Sequence, residues 1–154
     1  MLFRSRDDGP QSHHVKRGTP TMGGVVLVLA AIIGYLVSHL ITRSDFTTSA
    51  FLVIGLIIGL AFVGFIDDWL KVVKQRSLGL RAREKLLGQA LVAAIFAIFG
   101  LRYPDERGLS PISAHLSTVR DTSLVLGAIA VAIWAIFLVL GSSNGVNLTD
   151  GLDG

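Results

Sequence analysis

Two groups of carboxylates that follow apolar segments are the residues best suited to do chemistry in this sequence. Asp67 and Asp68 end the second apolar run, and Asp150 and Asp153 follow the last one. Charge at the mouth of a membrane helix is costly, so it is usually paired, solvated or functional. If both helices end on the same side of a membrane, these carboxylates face one aqueous surface, which suits metal-assisted chemistry on a phosphate.

The adjacent Asp67 and Asp68 repel each other, which can leave one of them ready to act as a general base. Lys71 stands one helical turn further on, within reach of both carboxylates if the helix continues. The simpler interpretation is a helix end with a local ion pair that anchors the segment at the membrane interface. The pair alone leaves both interpretations open.

Two glycine-containing segments can bind a ligand through their backbone. In 147–154, two aspartates three residues apart are each followed by glycine, which permits close approach of the backbone to a ligand. In 16–24, lysine, hydroxyl residues and glycines precede a helix, as in a generic anion site, although the order of a Walker A motif is absent. A turn between helices and a helix cap are the simpler interpretations of these segments.

The composition indicates a membrane protein. Of the 154 residues, 51% are hydrophobic, and the mean hydropathy is +0.64, which is too apolar for an ordinary soluble domain. The formal net charge of +3 mostly reports membrane topology, so we expect no nucleic-acid partner. The absence of cysteine excludes disulfides and thiolate metal sites.

The predicted fold class is an all-α polytopic integral membrane protein, in a single partial membrane domain. Each of four apolar segments approaches the roughly 20 residues that cross a hydrocarbon core. The four transmembrane helices are predicted at about 22–41, 48–66, 84–101 and 122–140. Between them lie an N-terminal arm at 1–21, a cytoplasmic loop at 67–84, an external loop at 102–121 and a cytoplasmic acidic loop at 141–154. Gly55 and Gly59, four residues apart, are typical of a small-residue packing face.

Basic residues predict the orientation. Ten lysines and arginines lie in the N-terminal arm and in the segment 69–85, against four in the other two connections. The positive-inside rule therefore predicts that both termini and both acidic groups face the cytoplasm. In the external loop, Pro104 and Pro111 predict an ordered turn or a short hairpin.

Four motifs make a more specific pattern together than any of them alone. They are GTPTMGG at 18–24, FIDDWLKV at 65–72, KLLGQ at 85–89 and NGVNLTDGLDG at 144–154. In this order they resemble the phospho-N-acetylmuramoyl-pentapeptide transferases, bacterial integral membrane enzymes that make the first lipid intermediate of peptidoglycan. The wider superfamily transfers hexosamine-1-phosphates to polyprenyl phosphates and shares the acidic motifs.

The resemblance implies a reaction in the bacterial inner membrane, on its cytoplasmic face. UDP-N-acetylmuramoyl-pentapeptide donates its phospho-sugar to undecaprenyl phosphate with the help of Mg²⁺, and UMP leaves. By this resemblance, the catalytic residues are Asp67 and Asp68, one of which deprotonates or positions the polyprenyl phosphate, and both are candidate contributors to the metal site. Lys71 is implied to neutralise phosphate charge.

The remaining site residues are also implied by the resemblance alone. The nucleotide end of the site is assigned to Lys16 and Thr21. The pocket near the diphosphate is assigned to Asn147, Asp150 and Asp153.

The chain departs from the family pattern because it shows fewer spans than family members have. The family's Mg²⁺-binding aspartate, its uracil-stacking aromatic residue and its histidine cluster are expected beyond Gly154. We therefore expect an internal fragment without transferase activity by itself, and measurable Mg²⁺-dependent UMP release by the 154 residues would contradict this. The complete family enzyme is a homodimer by resemblance.

Three alternatives to this function remain open at the level of sequence. The first is a related transferase that uses UDP-N-acetylglucosamine as its donor. The second is a non-catalytic four-helix membrane protein whose charges serve only topology and packing. The third is a transporter, which would call for ionisable groups near the middle of the membrane, whereas these carboxylates lie at helix ends or in loops.

Overall fold

The chain forms four helices and one two-stranded sheet, in a computed structural model that describes residues 23–74, 79–105, 108–117 and 120–151. For Ser117, Asp121 and 147–150 only the backbone is described. The elements in chain order are α1 (Gly23–Thr42), α2 (Thr48–Val73), α3 (Ala82–Arg102), β1 (His115–Ser117), β2 (Asp121–Val125) and α4 (Ala128–Gly151).

All four of these helices are long and apolar enough to cross a membrane, which confirms the predicted fold class. Most of their large apolar side chains are exposed, and Leu40 and Ile129 keep 77% and 79% of their surface. Such faces are unfavourable in water but suit a hydrocarbon environment, where each helix satisfies its own backbone hydrogen bonds. The exposed apolar faces therefore agree with a bundle that lies in lipid or against further helices.

The central helix is α3, because it packs against both α2 and α4. Small residues allow the close approach, since Ala93 and Ala97 are fully buried at 0% exposure. Gly59 of α2 lies against Val92 of α3, where an added Cβ would come within 2.7 Å of a methyl carbon. This confirms a packing role for Gly59, whereas an added Cβ at Gly55 would meet no described atom within 4 Å.

An antiparallel hairpin of β1 and β2 follows α3, which agrees with the short hairpin that the prolines predict. The region is fastened to α3 by Ser110, whose Oγ donates to the Gly100 carbonyl oxygen at 2.7 Å. Ile112 fills the space beside Gly100, where no Cβ would fit. Because 121–125 pairs with β1 as a strand, the fourth helix begins at Ala128 and not at the predicted 122.

Two helices continue past the predicted boundaries, while α1 and α3 begin and end within two residues of them. The prediction ended the second helix near 66, but α2 ends at Val73, so Asp67, Asp68 and Lys71 stand on a helix. The prediction began an acidic loop at 141, but α4 continues through Gly151. The hydropathy signal stops where polar residues begin, whereas Asp67 of α2 and Ser143 and Asn144 of α4 find hydrogen-bond partners inside the bundle, which allows both helices to continue.

Candidate active site

We call the region where α2 ends, α3 begins and α4 ends the acidic end of the bundle. Just ahead of α3, the backbone N–H of Leu80 donates to Oδ1 of Asp67. Further along α3, the side chain of Gln89 bonds Ser143 in the carboxyl half of α4. These contacts place the carboxyl ends of α2 and α4, the two helices that carry the acidic residues, at the same end of the bundle, as the sequence leads us to expect.

Asp67 is the buried member of the acidic pair, at 9% exposure. Its Oδ2 lies 2.6 Å from the Nζ of Lys71, one helical turn further along α2. Its Oδ1 accepts a hydrogen bond of 2.7 Å from the N–H of Leu80. Both carboxylate oxygens are therefore engaged, one by the helix itself and the other by the segment that leads into α3.

Gly79 explains how that segment approaches Asp67 so closely. A Cβ added at this position would overlap the backbone carbonyl oxygen, Oδ1 and Cγ of Asp67. Any side chain would therefore push the segment away and stretch the hydrogen bond from Leu80. Glycine at 79 is required by space, because the backbone passes directly over the carboxylate.

Asp68 is the accessible member of the pair. Its Oδ1 lies 3.0 Å from the Nζ of Lys71, and its side chain keeps 35% of its surface. Lys71 thus contacts both carboxylates at once, as expected if the helix continues, and it too keeps 35% of its side-chain surface. The result is a compact group of two negative charges and one positive charge, with Asp68 and Lys71 open to a ligand.

The other predicted site residues are only partly described. Asn147 and Asp150 stand on the last turns of α4, with their backbone at the acidic end. Lys16, Thr21 and Asp153 lie outside the described residues. Their roles stay predictions.

Sequence reasoning gave no role to Gly79 or to Gln89, although Gln89 is the last residue of the KLLGQ motif at 85–89. Gly79 gives no local signal, because its role depends on a residue twelve positions earlier. Gln89 does carry one, since a polar amide in an apolar span is costly unless it finds a partner. That rule would have predicted a bridge from Gln89 to another helix.

The described carboxylates differ in their remaining capacity to bind a metal ion. No group of three His, Cys, Asp or Glu side chains that could hold a metal ion occurs in the described ranges. Asp67 has little capacity left, because Lys71 and Leu80 occupy its two oxygens. Asp68 fits better, because Mg²⁺ is commonly held by one or two carboxylates together with substrate phosphates.

One protein-family model matches most of the elements described above. The family model described as glycosyl transferase family 4 matches residues 48–154, which include α2, α3, the hairpin and α4. A shorter pattern, described as phospho-N-acetylmuramoyl-pentapeptide-transferase signature 1, matches residues 16–28. That pattern contains the predicted nucleotide-site residues Lys16 and Thr21.

Individual proteins that are similar to this chain carry the name that appears in the shorter pattern. The chain is 53% identical over 149 residues to proteins of Streptomyces avermitilis and Frankia casuarinae, and 53% identical over 150 residues to one of Cutibacterium acnes. Each is named phospho-N-acetylmuramoyl-pentapeptide-transferase. The matches cover 97% of this chain but only 42% of each relative, so the chain spans about two fifths of their length.

The family match begins with the helix that carries the acidic pair and includes the helix that carries Asn147 and Asp150. It covers well over half of the sequence, and it coincides with the elements that meet at the acidic end. The chain therefore belongs to glycosyl transferase family 4.

Proposed function

We propose that the complete polypeptide carrying this sequence transfers phospho-N-acetylmuramoyl-pentapeptide from its UDP donor to undecaprenyl phosphate and releases UMP. The observation that carries the proposal is the acidic pair bridged by Lys71, at the same end as the carboxyl half of α4. The names of the relatives support this donor over UDP-N-acetylglucosamine. The reaction is the first membrane step of peptidoglycan synthesis.

Within this proposal, the two aspartates have different roles. Asp68 is the residue that deprotonates or positions the polyprenyl phosphate. It is the carboxylate with exposed surface, and only one of its oxygens is engaged in its described contacts. Asp67 holds Lys71 and the segment ahead of α3 in position, because both of its oxygens are already bonded. Lys71 neutralises phosphate charge beside Asp68. Catalysis of this kind depends on positioning and on neutralising charge as it develops.

We also propose Mg²⁺ as the cofactor, with Asp68 as one of its ligands. When bound, Mg²⁺ neutralises charge on the diphosphate of the donor. Among the residues of this chain, Lys71 orients Asp68 through the 3.0 Å contact. Asn147, Asp150 and Asp153 are assigned to the diphosphate, and Lys16 and Thr21 to the nucleotide.

The proposed location is the inner membrane, with the acidic end on its cytoplasmic face. Four helices that can cross a membrane support the location. The excess of lysine and arginine in the N-terminal arm and in 69–85 supports the orientation. In this orientation the apolar helices meet the polyprenyl chain, and the acidic end meets the soluble nucleotide donor.

The proposal is tested by the choice of donor. The complete polypeptide, purified in detergent with undecaprenyl phosphate and Mg²⁺, is supplied with either UDP-N-acetylmuramoyl-pentapeptide or UDP-N-acetylglucosamine. We expect UMP release with the first donor and little with the second, and no release without Mg²⁺. Faster release from UDP-N-acetylglucosamine would overturn the proposal in favour of the related transferase, and no release from either donor would refute both.

A further inference from the structure

Gln89 is a buried amide at the interface between α3 and α4. It keeps only 4% of its surface, within an apolar helix. Its Nε2 donates to Oγ of Ser143 at 2.8 Å, and its Oε1 accepts from Nδ2 of Asn144 at 2.9 Å. A buried amide is expensive unless its donor and its acceptor are both used, and here both are used on the same neighbouring helix.

The two partners on α4 are adjacent in sequence, and this determines what the contact controls. Nδ2 of Asn144 also donates to the carbonyl oxygen of Leu140 at 2.8 Å, so the Asn144 side chain is tied to its own helix. Neighbouring residues of a helix differ by about 100° in direction and about 1.5 Å along the axis. Because one side chain is hydrogen-bonded to both Ser143 and Asn144, it sets the rotation of α4 about its axis and the position of α4 along that axis relative to α3.

The same part of α3 is also in contact with the helix that carries the acidic pair. Gly88, next to Gln89, packs on Val63 of α2, where an added Cβ would lie 3.1 Å from a methyl carbon. Val63 stands one turn ahead of Asp67, and both are buried. The amino half of α3 thus contacts both α4 and α2, and it sets the position of α4 relative to the helix that carries Asp67 and Asp68.

Positions 147 and 150 continue the helical face of Ser143, since they follow it by four and seven residues on α4. Any rotation of α4 at Ser143 is therefore carried to both positions. We propose that Gln89 is a positioning residue for the transfer reaction, which sets the rotation of α4 through Ser143 and Asn144 and so orients the donor-binding positions 147 and 150. This inference rests on the proposed function.

The kinetic test uses Gln89→Leu in the complete polypeptide, with both Michaelis constants measured. We expect the KM for the UDP donor to rise about tenfold, because misplaced polar groups lose about one hydrogen bond to the donor. The KM for undecaprenyl phosphate should not change, since the acidic pair keeps its contacts. A merely structural role would lower the amount of active enzyme and leave both KM values unchanged, and that result would overturn the inference.

A triple variant separates positioning from stability. Gln89→Leu alone leaves the half-buried polar groups of Ser143 and Asn144 without this partner, so its thermal midpoint should fall. Gln89→Leu combined with Ser143→Ala and Asn144→Leu removes these polar groups together, which can be nearly neutral for stability. We expect the midpoint to recover while the donor KM stays raised. Recovery of the donor KM together with the midpoint would overturn the inference.

A distance measured between α3 and α4 tests the role of the Gln89 hydrogen bonds without any assay of transfer. Spin labels are attached to cysteines introduced at Leu87 of α3 and Val146 of α4, which are 70% and 71% exposed, in the otherwise cysteine-free sequence. Any cysteine outside the 154 residues is replaced by serine. Gln89→Leu should shift or broaden the distance distribution. An unchanged distribution would overturn the inference even if transfer is observed. An inactive wild type would refute the proposed function, while the label distance would still decide whether Gln89 sets the position of α4.

The matched control is Thr42→Val. Oγ1 of Thr42 donates to the Ser38 carbonyl oxygen at 2.8 Å, within α1. The substitution therefore removes this bond and the contact of Oγ1 with Oγ of Ser44, neither of which joins α3 to α4. It should leave the label distance and the donor KM as they are in the wild type, and a change as large as that of Gln89→Leu would overturn the inference.

Discussion

At the acidic end, side-chain bonds join α2 and α4 to α3 and to the segment ahead of it, whereas most side-chain bonds at the hairpin end join residues of the hairpin region itself. Asp67 bonds Leu80 across 13 residues, and Gln89 bonds Ser143 across 54. In the hairpin region, 103–126, the N–H of Leu109 donates to Asp105 across four residues, and Thr122 donates to the Leu116 carbonyl oxygen across six.

The comparison teaches where precision is needed. The hairpin region holds its own shape, and its bond to the helices is made at Gly100, near the carboxyl end of α3. A side-chain bond between helices fixes one element against another, as a site built from several elements requires. We therefore expect substitutions at the acidic end to change the reaction and those at the hairpin end to change local structure only.

The largest effect is expected for Asp68→Asn. It removes the exposed negative charge beside Lys71 but keeps the size of the side chain. Loss of a general base or of a key electrostatic group lowers the rate by about 10²-fold or more. The rate of UMP release by the complete polypeptide measures this. Asp105→Asn at the hairpin end is the matched control, and equal rates for the two variants would favour the non-catalytic alternative.

For Gly79→Ala we expect a smaller effect on the transfer rate, together with a loss of stability. The added Cβ overlaps Asp67, so the segment ahead of α3 must shift and the hydrogen bond from Leu80 must lengthen. Such overpacking costs about 1–3 kcal/mol in the free energy of unfolding, and the transfer rate should fall with it. Gly64→Ala is the control in α2, because an added Cβ there meets no described atom within 4 Å. The thermal midpoint of each variant is the measurement, and similar midpoints would contradict the prediction.

Gly88→Ala should have a still smaller effect, because two contributions oppose each other. The added Cβ lies 3.1 and 3.3 Å from the methyl carbons of Val63, so Val63 must shift by a few tenths of an ångström. Alanine inside a helix gains about 1 kcal/mol over glycine, which offsets most of that crowding. We expect the thermal midpoint to stay close to that of the wild type. A loss as large as that of Gly79→Ala would show that the contact between α2 and α3 cannot adjust.

The smallest effect is expected for Asp105→Ala at the hairpin end. It removes the acceptor for the N–H of Leu109, but the backbone bond from Asp105 N to the Leu109 carbonyl oxygen remains. An exposed hydrogen bond of this kind contributes about 1 kcal/mol or less to stability. The rate of UMP release should equal that of the wild type. A rate loss comparable with that of Asp68→Asn would end the distinction between the two ends.

Much of the fold followed from local patterns, and so did part of the site. Hydropathy located α1 and α3 within two residues, and helical spacing placed Lys71 within reach of Asp67 and Asp68. The boundaries of α2 and α4 were wrong by more. Hydropathy measures the preference for lipid, whereas a helix ends where its backbone hydrogen bonds end. Polar residues that are held by partners let both helices continue.

The sequence by itself determined four apolar helices, the acidic pair that follows the apolar part of the second one and the ion pairs of Lys71, because each depends on composition or on residues within one helical turn. Only the tertiary structure decided that Asp67 is buried under Gly79 and Leu80 while Asp68 stays exposed, and that Gln89 grips Ser143 and Asn144. The physical reason is that burial and long-range hydrogen bonds depend on which distant segments pack together. Spacing along one helix does not identify the distant segment that packs on it.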